Sequence, residues 1–141
     1  MKHVVNMVSE NEWLKEYKDR ADMNSFIKAC KCDGAEVIRG GDDNTGIYCS
    51  ENVVGVHLYF YPSWLDFWNM NIDGLKKHFG SREIWENYYR ATNREEFLKP
   101  YQDDMDYAEA MGAEYAVFHI NDVSNEEVLT YEWEHTNREV I

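Results

Sequence analysis

The 141-residue sequence predicts an α/β fold built on a parallel sheet. Short apolar runs alternate along the chain with segments of helical periodicity, which is the pattern of strand and helix units that follow one another. The third apolar run is hydrophobic almost throughout, as parallel strands covered on both faces are. The length suits one domain with a real core, and the chain has only two prolines and no low-complexity stretch. Residues 1–141 are therefore predicted to form a single domain.

Four segments are predicted as strands, because each is a short apolar or β-branched run bounded by polar or glycine-containing sequence. They are His3–Val8, Ala35–Ile38, Val53–Tyr61 and Ala113–Ile120.

Three segments are predicted to contain helices. Ser9–Glu12 has the S-x-x-E form of a capping box and follows the first strand. Apolar residues of Ala21–Lys31 share one helical face, with a glycine just beyond its end. Thr92–Glu95 is a second capping box, and the apolar pattern after it stops at Gly112. Pro100 lies inside that pattern, so this helix is expected either to kink there or to restart with the proline in its first turn.

The connections around the third strand are unusual. Gly40–Asn52 is rich in turn residues and has no helical periodicity, so the second helix is predicted to be missing. A parallel crossover needs at least about 10–12 residues, and this one is long enough but leaves one sheet face less covered. Pro62–Gly80 is rich in Trp and Asn and is predicted to be a long irregular or partly helical excursion.

The charge of the chain excludes several classes of partner. Asp and Glu outnumber Lys and Arg by 27 to 14, a formal net charge of −13, which repels nucleic acid and anionic membrane surfaces. The apolar part of Met1–Glu10 is too short for a secretory signal, and no stretch approaches the roughly 20 apolar residues that span a bilayer. A cytoplasmic protein without nucleic-acid or membrane partners is therefore expected.

The number of units suggests a fragment of a larger fold. Four strand and helix units in 141 residues scale to about 250 residues for eight units, the usual size of a (β/α)8 barrel. Thr136–Glu139 forms a third capping box, yet Ile141 ends the chain before a helix could form. The sequence is therefore predicted to be the truncated N-terminal half of such a barrel. Because four strands leave two unpaired edges, we expect a homo-oligomer.

Three short motifs resemble a known family. They are Asp33-Gly34-Ala35-Glu36 at the second strand, Gly55-Val56-His57 in the third, and Gly112-Ala113 with Val117-Phe118-His119 at the fourth. In order and spacing they resemble the first half of a sugar-phosphate isomerase/epimerase of the xylose-isomerase-like TIM-barrel superfamily. That superfamily also contains the endonuclease IV type of apurinic-site endonuclease. The resemblance implies a divalent metal ion (Zn, Mn, Mg or Co) and a small sugar or polyol at the carboxyl mouth of the barrel.

Two histidines are the candidate metal ligands. His57 and His119 each lie near the end of an apolar run, on strands predicted to be neighbours about 4.8 Å apart. At equal heights, the two imidazoles could reach one metal ion. The resemblance to the endonuclease branch implies this role, with the carboxylate ligands supplied by the absent half of the barrel. The alternative is a pair of ordinary core histidines.

Four further residues are candidates for binding substrate. Glu36 lies either at the bottom of the second strand, where solvation explains it, or higher, where it could meet a sugar hydroxyl. Trp64 and Trp68 could pack against a sugar ring, or they could fill the core of a loop. Asn121 could contact substrate or cap a turn.

Two functions from different classes follow. The first is the N-terminal part of a metal-assisted sugar or sugar-phosphate isomerase or epimerase, in which the metal polarises a carbonyl while carboxylates move a proton at the adjacent carbon. The acidic charge favours this sugar branch over the DNA-repair branch. The second is a non-catalytic half-barrel that folds by pairing with another copy or another chain.

Overall fold

The computed structural model describes residues 1–119 and Asp122. The predicted capping box at Thr136–Glu139 lies outside the described residues. The chain divides into two compact units. We call Met1–Tyr59 with Tyr101–Phe118 the sheet unit. The helical unit is Phe60–Pro100 with His119–Ile141, and of that last stretch only His119 and Asp122 are described.

The sheet unit contains a four-stranded, all-parallel sheet in the order β1-β2-β3-β4. Its strands are β1 (Val4–Ser9), β2 (Gly34–Arg39), β3 (Val53–His57) and β4 (Tyr115–Val117). The predicted α/β class and the parallel sheet are therefore confirmed. The strand order is compatible with half of a barrel.

The third and fourth strands are shorter than predicted. The amide of Leu58 still donates to the carbonyl of Val117, but the amide of Tyr59 donates to the Asp104 carboxylate, at 2.5 Å. Because a helix side chain takes over this amide, the chain leaves the ladder after His57 although its sequence stays apolar to Tyr61.

The described residues form six helices, which are α1 (Asn11–Leu14), α2 (Arg20–Ala29), α3 (Leu65–Trp68), α4 (Ile72–Phe79), α5 (Arg82–Tyr89) and α6 (Arg94–Ala110). α2 and α6 confirm two predictions. The predicted excursion Pro62–Gly80 is partly helical, as one of its two alternatives stated, because it contains α3 and α4. α5 is not predicted by the sequence. α6 continues through Pro100 without restarting. The missing helix between β2 and β3 is confirmed, because the described connection between them contains none.

The predicted capping boxes are wrong in detail. The hydroxyl of Ser9 donates to Asp43 at 3.2 Å instead of capping α1, and the residue at that cap, Glu10, makes no side-chain cap hydrogen bond. At α6 the box is shifted by one residue. The side chain of Asn93 accepts from the amide of Glu96 at 3.0 Å, and the Glu96 carboxylate accepts from the amide of Thr92 at 2.7 Å.

Two residues with positive φ lie just after the ends of helices in the sheet unit. Gly112 has φ +63° just after α6, as the sequence predicts. After α2, however, Lys31 has φ +58°, and Gly34 begins β2 instead of ending the helix. A non-glycine residue in the left-handed region is uncommon, and the C-terminal end of a helix is a usual place for it.

The two faces of the sheet differ. On one face, Ala35, Val37 and Val56 pack with Met23 and Ile27 of α2 in a buried aliphatic core. The opposite face, which we call the open face, carries Asn6, Glu36, Ile38, His57 and Tyr115, all exposed or half-buried. The polar side chains that the sheet presents to a ligand are therefore concentrated on the open face.

The helical unit has an aromatic core. Its largest buried side chains are aromatic and come from α3, α5, α6 and the segment after β3; they include Tyr61, Phe67, Trp85, Tyr89 and Phe97. The Tyr61 hydroxyl donates to the carbonyl of Tyr89 at 2.8 Å, and the Tyr89 hydroxyl donates to the carbonyl of Ser63 at 2.7 Å. No helix among residues 1–119 is both long enough and apolar enough to cross a membrane.

Candidate functional site

A row of four residues crosses the open face at one level. The register places Asn6 beside Glu36, Glu36 beside Gly55, and Gly55 beside Tyr115, so each strand contributes one residue. We call these four residues the polar row. Because residues aligned across a parallel sheet point to the same side, the three side chains of the polar row can act on one ligand.

Glu36 and Tyr115 are joined directly. The Tyr115 hydroxyl donates to Glu36 Oε2 at 2.8 Å, although the two residues are 79 positions apart in sequence. Glu36 is the third of the six residues of β2 and is half-buried. It therefore lies in the middle of the strand, and its carboxylate has a specific partner.

Gly55 makes this contact possible. A methyl group on Gly55 would lie within 2.5 Å of Tyr115 Cε2 and 2.7 Å of its hydroxyl oxygen, far inside van der Waals contact. The phenol ring therefore lies across β3 and reaches Glu36 on β2, over two strand spacings or about 9.6 Å. A glycine inside a strand often marks such a close approach.

The Tyr115 phenol keeps its proton at neutral pH. Burial, followed by the hydrogen bond and the negative charge of Glu36, raises the pKa of Tyr115 to about 12. The phenol is therefore a hydrogen-bond donor that holds one oxygen of the carboxylate. The other oxygen of Glu36 can accept from a ligand hydroxyl, because an ionised carboxylate has room for several donors.

His57 ends β3 on the open face, two residues beyond Gly55. Its Nδ1 lies 3.2 Å from the carbonyl oxygen of Leu58. The residue level with His57 on β4 is Val117, and His119 comes two residues after the end of β4 in the sequence. His119 belongs to the helical unit, where its ring lies 4.7 Å from the ring of Phe60.

A complete metal site is not formed by the described residues. Within residues 1–119 and Asp122 there is no group of three or more His, Cys, Asp or Glu side chains placed to hold a metal ion. Metal binding by His57 and His119 stays a prediction.

The two tryptophans are part of the helical unit. Trp64 is buried, and its ring lies 6.4 Å from that of Trp68. Trp68 is half-buried, and the guanidinium of Arg94 covers its ring at 4.6 Å. Both placements agree with the alternative in which these residues fill the core of a loop. The carboxylate of Asp122 accepts from the amides of Trp64 and Leu65 at the start of α3, and Asn121 lies outside the described residues.

A second polar group lies at the carboxyl ends of β1 and β2, on the covered face. Arg39 forms an ion pair with the buried Asp104 of α6 at 2.9 Å, and its guanidinium lies 4.8 Å from the ring centre of Tyr107. Burial raises the pKa of Asp104, against the opposing effects of the Tyr59 amide and Arg39. Arg39 and Asp104 pair with each other, so they attach α6 to the sheet and leave the open face as the better candidate site.

Comparisons with protein-family models, with curated proteins and with solved structures found no match. The resemblance to the isomerase superfamily therefore stays a prediction. The described fold is α/β with a parallel sheet.

The sequence pattern indicates Glu36 as a candidate but gives no indication of its partner Tyr115. One signal was available: Gly55 interrupts an otherwise apolar strand, and a glycine in a strand interior implies that another group approaches closely. Which aromatic residue approaches depends on the register between β3 and β4, and the sequence pattern does not contain it.

Proposed function

We propose that this chain is the N-terminal part of a barrel enzyme that binds a small sugar or polyol on the open face of its sheet and isomerises or epimerises it. The observation that carries this proposal is the hydrogen-bonded pair of Glu36 and Tyr115 in the polar row. In a closed barrel with its helices outside, the open face would become the interior, and catalytic groups come from the strand ends nearby.

The polar row has the hydrogen-bonding groups that a polyol requires. The free oxygen of the Glu36 carboxylate accepts from a hydroxyl, and the exposed amide of Asn6, at the same level, both donates and accepts. Adjacent hydroxyls of a sugar donate and accept in the same way. A ligand with neighbouring hydroxyls is therefore favoured over an apolar one.

The same pair suits the proton transfer of an isomerase. In such a reaction, a base removes the proton from the carbon next to a carbonyl, the electron pair forms an enediolate, and the proton returns to the neighbouring carbon. Glu36 supplies the base. Tyr115, protonated at neutral pH, holds the carboxylate in position as a positioning residue.

The proposal includes two candidate ligands for a divalent metal ion but not a complete metal site. His57 and His119 supply nitrogen ligands of the type that such ions accept, but the described residues do not complete a site. The remaining ligands would have to come from elsewhere, so we assign no step of the reaction to a metal.

Binding of xylitol, a linear polyol, tests the site. In an amide NMR titration we expect shifts at Asn6, Glu36, Gly55 and Tyr115. Glu36→Gln should weaken binding about ten-fold, as loss of a hydrogen bond to a charged group does. Glu51→Gln, at an exposed position before β3, is the matched control and should leave binding unchanged. Unshifted polar-row amides at saturating xylitol would overturn the site.

Deuterium exchange tests the reaction class. With the ketopentose xylulose in D₂O, Glu36 should catalyse incorporation of deuterium at a carbon next to the carbonyl, and Glu36→Gln should abolish it. Exchange that persists in Glu36→Gln would remove the role of base from Glu36, whereas binding of xylitol without any exchange would favour a binding protein.

One observation favours the second candidate function, a half-barrel that pairs with another copy. Among the residues that the structure describes, the order β1-β2-β3-β4 leaves β1 and β4 as the two edges of the sheet, and both run in the same direction. β4 of one copy can therefore pair in parallel with β1 of a second copy, and the reciprocal pairing closes eight strands. Sedimentation should show a dimer at micromolar concentration that Ala116→Lys, on exposed β4, dissociates. A monomer at all concentrations would contradict this candidate.

A further inference from the structure

A cavity of the sheet unit lies away from the polar row. It has a volume of about 440 Å³ and lies between the segment that joins β1 to α2 and the loop that joins β2 to β3. Lys15 and Lys18 line it from the first segment and Arg20 from the first residue of α2, while Thr45, Gly46 and Ile47 line it from the loop. Its volume falls within the usual range of small-molecule sites, about 300–1,000 Å³.

The net charge of the residues that line this cavity is opposite in sign to the net charge of the whole chain. The chain carries a net charge of −13, yet three cations and one anion, Asp19, line this cavity. Lys15 is paired with Glu12, outside the lining. Lys18 and Arg20 form no ion pair with any other residue in the part of the chain that the structure describes. Two cationic side chains are therefore available to a ligand.

The guanidinium of Arg20 is held in position against the loop. Its Nη2 donates to the carbonyl of Gly46 at 3.0 Å. An arginine has five N–H donors in a planar fork, so most of them stay available after this bond. The guanidinium can therefore bind an anion with two parallel hydrogen bonds without first becoming ordered.

The one anion of the lining already has a partner. The carboxylate of Asp19 accepts from the amide of Asp22 at 3.0 Å and caps α2. This bond uses an amide that an external anion would need at the helix end. The attraction for a ligand therefore comes from the two cationic side chains and not from the N-terminus of α2.

We propose that this cavity binds the phosphate group of a small phosphorylated molecule. Arg20 contacts the phosphate with its planar fork, and Lys18 adds a point charge, which is how these two residue types usually bind phosphate. Leu14 and Ile47 form the apolar side of the cavity, beside which the carbon skeleton lies. The site uses none of the residues of the polar row, so it does not depend on the proposed isomerase function.

Three probes test the site at constant ionic strength: inorganic phosphate, glycerol 3-phosphate and glycerol. We expect both phosphates to shift the amide of Gly46 and the Nε of Arg20 in NMR titrations, and glycerol to shift neither. Tighter binding of glycerol 3-phosphate than of inorganic phosphate would show that the carbon skeleton is bound too. Equal affinity would assign the site to free phosphate. No shift with either phosphate would overturn the proposal.

Three variants assign the contacts. Lys18→Gln and Arg20→Gln should each weaken phosphate binding about ten-fold or more, because each removes a charge-assisted hydrogen bond. Lys28→Gln, on an exposed position near the other end of α2, is the matched control and should change the affinity less than two-fold.

Arg20→Gln also removes the contact with Gly46, so a loss of affinity in that variant has two causes. The phosphate affinity of Lys18→Gln is therefore the decisive measurement, and Lys18→Arg should restore binding. An equal loss in Lys28→Gln and Lys18→Gln would mean that phosphate responds to net charge alone, which would overturn the site.

Discussion

The two units of the molecule build their cores from different side chains. In the sheet unit the core is mainly aliphatic, with Val37 and Val56 fully buried between strands and helix and Tyr48 as a buried aromatic member. In the helical unit the core consists of aromatic rings, and Phe67 alone contacts Tyr89 and Phe97 at centroid distances of 4.5 Å and 5.4 Å. Strand periodicity is readable from sequence, whereas a ring cluster drawn from several short segments has no period.

The difference between the two cores also shows which side chains build the fold and which are candidates for binding a ligand. The aromatic-rich segment after β3 has rings of the type that stack against a sugar, but Trp64, Trp68 and Phe67 pack against other rings of the protein. The polar side chains of the candidate site, in contrast, lie on the open face of the sheet. Richness in aromatic residues is therefore evidence for a core before it is evidence for a ligand site.

The largest effect should come from the aromatic core. Phe67→Ala should lower the free energy of unfolding by about 3–5 kcal/mol, because truncation of a buried phenylalanine leaves a large cavity. Val37→Ala in the aliphatic core should cost about 2 kcal/mol, the transfer of two methyl groups plus a small cavity. Ile72→Ala, on an exposed position of α4, is the control and should cost less than about 0.5 kcal/mol. Urea denaturation measures all three, and equal costs for Phe67→Ala and Val37→Ala would remove the contrast between the cores.

A smaller loss of stability is expected at Gly55, where the ring of Tyr115 lies across β3. Gly55→Ala should cost about 1–3 kcal/mol, because the new methyl group occupies the space of the Tyr115 ring. Tyr115→Phe keeps the ring and should cost about 0.5–1.5 kcal/mol for the lost hydrogen bond. Thermal denaturation gives both values. If Gly55→Ala were neutral while Tyr115→Phe were not, the ring would have another way to reach Glu36.

The helix caps allow a comparison between the units at matched chemistry. Asp19→Ala at α2 and Asn93→Ala at α6 should each cost about 1 kcal/mol, because each removes a side-chain acceptor from a helix amide. Ser81→Ala at α5 is the control, since the Ser81 side chain makes no cap hydrogen bond. We expect its cost in urea denaturation to be clearly smaller. A cost for Ser81→Ala equal to the other two would contradict the assigned caps.

The smallest effect is a difference in pH dependence. Burial raises the pKa of Asp104, so its contribution to stability is greatest below the ordinary pKa of Asp and declines as pH rises through the raised value. Glu96 behaves oppositely. The amide and hydroxyl of Thr92 lower its pKa, so its contribution is present above the ordinary pKa of Glu and declines as pH falls through the lowered value.

Melting temperatures between pH 3 and pH 7 test these signs. The stability of the protein relative to Asp104→Asn should fall as pH rises, and its stability relative to Glu96→Gln should rise. The same slope for both comparisons would show that one of the two signs is wrong.

Local sequence patterns by themselves determined the α/β class, the parallel sheet, β1, β2, α2 and the stop of α6 at Gly112. They also predicted the absent helix between β2 and β3. Each of these features depends on residues within one or two turns of chain, where periodicity, turn composition and the conformational freedom of glycine decide the structure.

Only the tertiary structure decided which polar groups meet. Asp104, 45 residues away, takes the amide of Tyr59 as β3 gives way to loop, and Tyr115, 79 residues away, crosses Gly55 to bond Glu36. Ser9 and Thr92 are both predicted as helix caps, but neither caps a helix. The Ser9 hydroxyl donates to Asp43 in the neighbouring loop, and the Thr92 amide donates to Glu96 because the helix start is shifted by one residue. These outcomes depend on strand register and helix placement, because the competing local partners differ too little in energy for the sequence pattern to choose between them.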